Sequence, residues 1–174
     1  MRRIALHTMA FALAAVCILA ARAGAAAAPP EPRAVAIPCV TNVSAQVLGS
    51  TPAPNAEGQV LVLARVILAP GGSIGAHTHP GTLIVSVESG TFELTLLDHG
   101  EMAVMRSGAA GTPAASEPIT HGQEVELAPG DWFVEVGMIH SSRAIGDEPA
   151  VVVLTGLIVA GQPLTQCVEG TPTP

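Results

Sequence analysis

Three histidines carry most of the chemistry this chain offers. His77 and His79 are one residue apart in the segment Gly71–Gly90, and His140 closes a second segment that opens with Pro129-Gly130-Asp131. In an extended strand, residues i and i+2 point to the same face. His77 and His79 therefore offer two imidazoles to one point in space, which is how a first-row transition metal is held. The alternative is a set of polar residues at a barrel mouth, although two imidazoles on one face are costly to bury without a partner. Glu135 is the acid to consider beside them. Trp132–Glu135 and the segment from His140 onward read as a hairpin with Val136–Ile139 as its loop. Facing residues in such a pair put their Cβ atoms about 5 Å apart on one face. Glu135 would then be a fourth ligand or a partner that orients His140; an exposed strand-end acid is the alternative. Arg143 lies three residues past His140 and so falls on the opposite face. His99, at a hairpin tip, and His121, at the end of a loop, are expected outside the site.

The elements around these residues read as strands. Val60–Leu68, Thr82–Glu88, Thr91–Leu97, Met102–Met105, Glu124–Leu127, Trp132–Glu135, Ser141–Ala144 and Val151–Val159 are apolar, β-branched or alternating. Pro70-Gly71-Gly72 and Asp98–Glu101 read as turns, and Ser89-Gly90 as the turn of a hairpin. Residues 49–58 and 107–121 read as loops. No amphipathic helix of useful length interrupts the series, which argues an all-β barrel or sandwich.

The glycine and histidine spacing resembles the cupin superfamily. Its first motif, G-x5-H-x-H-x3-E-x6-G, is matched by Gly71, His77, His79 and Gly90, with Leu83 in the glutamate position. Its second motif is matched by Gly137 and His140, with Glu135 in the proline position and Ala144 in the asparagine position. The resemblance spans about residues 59–160. It implies a single small cupin β-barrel, a jelly roll or double-stranded β-helix. It also implies a divalent first-row metal (Fe, Mn, Ni, Cu or Zn) on His77, His79 and His140. Leu83 removes the family's carboxylate ligand and leaves three neutral imidazoles, a set less suited to hard ions such as Mn²⁺. A metal-dependent oxygenase or isomerase acting on a small molecule is one implied function. A non-catalytic cupin that binds a metal or small ligand is the other. Barrel edges in small cupins often pair between subunits, so a homodimer is the expected assembly.

Met1-Arg2-Arg3 followed by the apolar run Met9–Ala21 reads as a secretory signal over residues 1–25, too short to span a bilayer comfortably. Residues 26–58 read as an N-terminal arm and linker, 59–160 as the barrel and 161–174 as a C-terminal tail. Cleavage near residue 25 would remove Arg2, Arg3 and Arg22 and leave four arginines against 14 acids, a net charge of −10; the chain has no lysine. Such a surface repels phosphate backbones and anionic membranes, so nucleic acid and, after cleavage, membrane are excluded as partners. Cleavage also removes Cys17. Cys39 and Cys167 remain, an even pair that reads as a disulfide in a secreted or periplasmic protein; two free thiols are the alternative. The chain lacks a P-loop, a Rossmann fingerprint and a nucleophile elbow. With one tryptophan and no tyrosine, it has little surface for base stacking.

Overall fold

The computed structural model describes residues 31–108 and 113–169. The proposed signal segment lies outside these residues. Twelve strands form the described chain: β1 (Arg33–Val35), β2 (Val40–Pro52), β3 (Gln59–Thr78), β4 (Gly81–Ser89), β5 (Thr91–Leu96), β6 (Glu101–Ser107), β7 (Pro113–Thr120), β8 (Glu124–Leu127), β9 (Trp132–Glu135), β10 (His140–Ile145), β11 (Ala150–Val159) and β12 (Gln166–Cys167). Every pairing is antiparallel, in the order β7-β6-β9-β4-β11-β3-β10-β5-β8, with β2 also on β3 and β1 on β2. The result is a nearly closed all-β barrel.

Strand β3 organises the barrel because it belongs to both halves. Its first part, Gln59–Leu68, pairs with β11, and its last part, Ser73–His77, pairs with β10. Pro70–Gly72, read from sequence as a turn, is instead a bend within one long strand. Gly71 adopts φ +70°, and a Cβ on Gly72 would stand 2.7 Å from the carbonyls of Ala69 and Asn42. Period-2 alternation sends Val62, Ala64, Val66 and Leu68 inward and leaves Leu61, Leu63 and Ile67 exposed. Strands β4 and β11 follow the same rule through Leu83, Val85, Val87, Val152 and Leu154, and their inward side chains form one contiguous core.

Four local expectations change. Residues 113–120 form strand β7 on β6, where a loop was expected; Ile119 points inward there and Arg106 pairs with Glu117. Strand β2 runs on to Pro52, into a stretch read as loop, because β3 offers it partners as far as Val60. The stretch around Ser89-Gly90 is not a hairpin: β4 pairs with β9 and β11, while β5 pairs with β8 and β10. Gly90 is a corner between the two halves, with φ +73°. A Cβ there would stand 2.2 Å from the carbonyl of Pro149. The β9–β10 hairpin is absent for the same reason. Strand β9 pairs with β4 and β6, whereas β10 pairs with β3 and β5.

The first and last described segments fold onto the barrel. Strand β12 sets Cys167 beside His77 on β3, and Cys39–Cys167 is a disulfide with Cα atoms 6.0 Å apart. Among the described residues, no helix is long and apolar enough to cross a membrane.

Candidate metal centre

The site is built on the far end of β3. His77 is its penultimate residue, His79 follows the strand, and His140 opens β10 directly opposite His77. Cross-strand partners share a face, so this register turns the sequence-distant His140 toward His77. All three side chains are buried, at 2–4% exposure. Ring centroids lie 4.2 Å apart for His77–His140, 5.1 Å for His77–His79 and 5.4 Å for His79–His140. One nitrogen from each ring lies within 4.8 Å of the others.

Each ring is fixed by a backbone carbonyl. Nδ1 of His77 reaches Gly75 O at 2.7 Å, Nδ1 of His79 reaches Leu164 O at 2.6 Å, and Nδ1 of His140 reaches Met138 O at 3.0 Å. A carbonyl only accepts, so Nδ1 carries the proton and Nε2 keeps its lone pair. Burial lowers the pKa of all three: His77 falls to about 4, assisted by the nearby His79, and His140 falls well below its usual value. The cluster is therefore neutral at pH 7. Three neutral imidazoles with oriented lone pairs fit a divalent transition-metal ion. They surround a cavity of about 20 Å³ otherwise walled by apolar side chains, among them Val85, Phe92 and Phe133.

Glu135 does not face His140. With no β9–β10 hairpin, it pairs instead with Leu83 on β4, and Leu83 in turn pairs with Gly156 of β11. Glu135 stands outside the group of converging ligand atoms and is fully buried. Burial pushes its carboxyl up to about 8. The amides of Gly137, Met138 and His79 draw it back down, but none is aligned well enough to form a hydrogen bond with either oxygen. The carboxyl group that Leu83 lacks is thus present one strand away, on the same inward face.

The remaining candidates fall outside the site. Arg143 points outward and pairs with Glu93. His99 and His121 are exposed, with ring centroids 4.4 Å apart, and Nδ1 of His121 reaches Leu97 O at 3.0 Å. Sequence reasoning missed Leu164, whose carbonyl holds His79 across 85 residues of chain. A backbone acceptor leaves no signal in residue type.

No protein-family model matches the chain, and no curated protein matches its sequence. Solved structures do resemble it. The polyketide cyclase RemF from Streptomyces resistomycificus shares 18% identity over 83% of this chain and 84% of its own, at a TM-score of 0.45. Oxalate decarboxylase of Bacillus subtilis, a protein with Mn(II) centres, shares 17% over 74% of this chain at 0.47; the match spans 28% of that longer chain. A cupin superfamily protein from Desulfitobacterium hafniense shares 14% over 67% of this chain and 77% of its own, at 0.43. The solved structures that resemble this chain include cupin barrels.

Proposed function

We propose that this protein is an exported barrel that holds one divalent transition-metal ion on His77, His79 and His140. The observation that carries this reading is the convergence of three buried, neutral imidazoles whose Nδ1 protons are all taken by backbone carbonyls. Protein ligands of that kind favour Zn, Cu, Fe, Ni or Co over Mn. A metal held by three side chains keeps an open coordination position and supplies Lewis-acid or oxygen-activating chemistry when bound. The residues around it exclude bulk water and leave space of about 20 Å³, enough for an ion or one water-sized ligand. That space favours a metal-binding role, or chemistry on a very small ligand, over an oxygenase or isomerase with an organic substrate at the metal. Glu135 contributes a buried proton-holding carboxyl group beside the site, and the converging imidazoles complete the ligand set without it. Export is supported by the Cys39–Cys167 disulfide, which persists in oxidising compartments.

Elemental analysis after separate addition of Fe, Mn, Ni, Cu, Zn and Co tests the reading. The expected result is about one ion per chain for at least one borderline metal, lost in a His77→Ala, His79→Ala double variant, with Co²⁺ giving visible ligand-field absorption. Stoichiometry far below one for all six, or unchanged binding in the double variant, would overturn it. Intact mass of the exported protein is expected to place its start near residue 26, with a gain of two hydrogens on reduction.

A further inference from the structure

The histidine cavity is not the only space among the described residues. A second, larger space of about 620 Å³ opens between the barrel and the first and last described segments, which fold onto it. Both spaces use the same inward faces. On β3, Val60 and Val62 line the large one and Val66 lines the small one; on β11, Ile158 lines the large one, and Val152 and Leu154 line the small one. They therefore follow one another along the barrel interior. The Leu83–Gly156 pair stands beside their junction, where Gly156 pairs with Val62. A Cβ on Gly156 would stand 2.1 Å from Thr82 O, so glycine is what lets β4 and β11 close there.

We propose that the large cavity is a binding site for an uncharged, apolar small molecule. This goes beyond the metal reading and does not depend on it. The volume lies in the range of small-molecule sites, whereas the histidine cavity is far below it. The wall is mainly aliphatic, with Val47, Val62 and Ile158 from the barrel, Ile37 from the N-terminal arm, and Leu164 from the C-terminal segment. Water against such a wall is displaced favourably by an apolar guest. Charge selects a neutral one. Among the described residues, Glu31 and Arg33 are the charged ones in the wall and offset each other, while the acidic protein around them disfavours anions. The wall contains no aromatic side chain to hold a cation by its ring face.

The cavity is built from the first and last described segments, which the fold ties together. The arm residues 31–37 lead into Cys39, and residues 162–165 lead into Cys167. The disulfide therefore clasps the two outer walls to each other. Leu164 belongs to this wall, and its carbonyl holds His79, so the guest's wall and the histidine cluster share one residue.

Titrating the oxidised, metal-free protein with N-phenyl-1-naphthylamine, a neutral apolar fluorophore, tests the site. Saturable enhancement at one probe per chain is expected. Val47→Trp and Ser50→Trp should fill the cavity. Val47 pairs with the inward-facing Ala64 and Ser50 with the inward-facing Val62, and both line the wall, so their side chains point into the space. Each should weaken the probe roughly tenfold or more while keeping the circular dichroism, the disulfide and the parent's metal stoichiometry. Reduction of the disulfide should also weaken the probe. No saturable binding, or parental affinity in both folded tryptophan variants, overturns the proposal. Because probe and metal are read separately, a protein that takes up no metal but binds the probe defeats only the metal reading.

Discussion

Strand β9 is flanked by two buried acids with opposite chemistry. Asp131, just before the strand, accepts from the amides of Ser107 at 2.7 Å and Ala128 at 3.0 Å and from Arg106 Nη1 at 2.9 Å. Burial alone would raise its pKa, but these donors hold it below the usual value. Glu135, at the strand's other end, is more deeply buried and has no cation beside it; the amides of Gly137, Met138 and His79 draw its carboxyl down, but burial holds it up at about 8. Glu135 is the more deeply buried and lacks the cation that Asp131 has, and both differences drive the two carboxyls apart. Asp131 locks β6 to the turn before β9 and is a structural acid. Glu135 is kept neutral at the cost of an unsatisfied group, which is the condition of a site residue more often than of a scaffold residue.

Removing each acid should break this comparison in opposite directions. The largest effect is expected for Asp131→Ala, which leaves Arg106 and two amides without their acceptor. A loss of about 3–5 kcal/mol, read from urea midpoints, follows from leaving the amides of Ser107 and Ala128 unsatisfied, at about 1–3 kcal/mol each, together with the lost contact to Arg106. A loss below about 1 kcal/mol would mean that the network is dispensable.

Glu135→Gln should act the other way, and only at higher pH. The unfolded carboxyl titrates near about 4.3, while the folded one keeps its proton to about 8. Across that window the folded state binds more protons, so this group's contribution makes stability fall as pH rises and is most favourable below the window. The parent should therefore lose stability relative to Glu135→Gln between about pH 5 and 8, by an amount on the order of 4 kcal/mol, about 1.4 kcal/mol for each of roughly three pH units. Thermal melts of both proteins at pH 5 and pH 8.5 measure the difference, and parallel pH profiles would show that Glu135 already has its charge stabilised.

The smallest effect is expected for Glu117→Ala. Glu117 meets the other side of Arg106 but is half exposed, at 49%. Exposed pairs contribute about 0.2–1 kcal/mol, so the network's stability should grade from Asp131 inward to Glu117 outward. A Glu117→Ala cost equal to that of Asp131→Ala would remove the distinction between its buried and exposed halves.

Much of the site was legible before the fold. The His77-Thr78-His79 spacing places two imidazoles on one face by strand period alone, and that face is the buried one. Cys39 and Cys167 were legible as a pair because they remain once Cys17 is assigned to the signal. Inward positions along β3 and β11 followed from alternation, which any half-buried strand imposes.

What sequence left undecided was which strands lie beside which. Ser89-Gly90 and Val136–Ile139 both carry turn residues between apolar runs, the signal of a hairpin and equally of a corner. Turn chemistry fixes only the local change of direction. The partner of the next strand depends on which edge of the barrel still needs hydrogen bonds, and that is a property of the whole chain. For this reason Glu135 was legible as a strand-end acid, but its place opposite Leu83 rather than His140 was set by the crossing of β9 and β10 into different halves. For the same reason the carbonyl of Leu164 could be found against His79 only once the C-terminal segment had returned to the barrel.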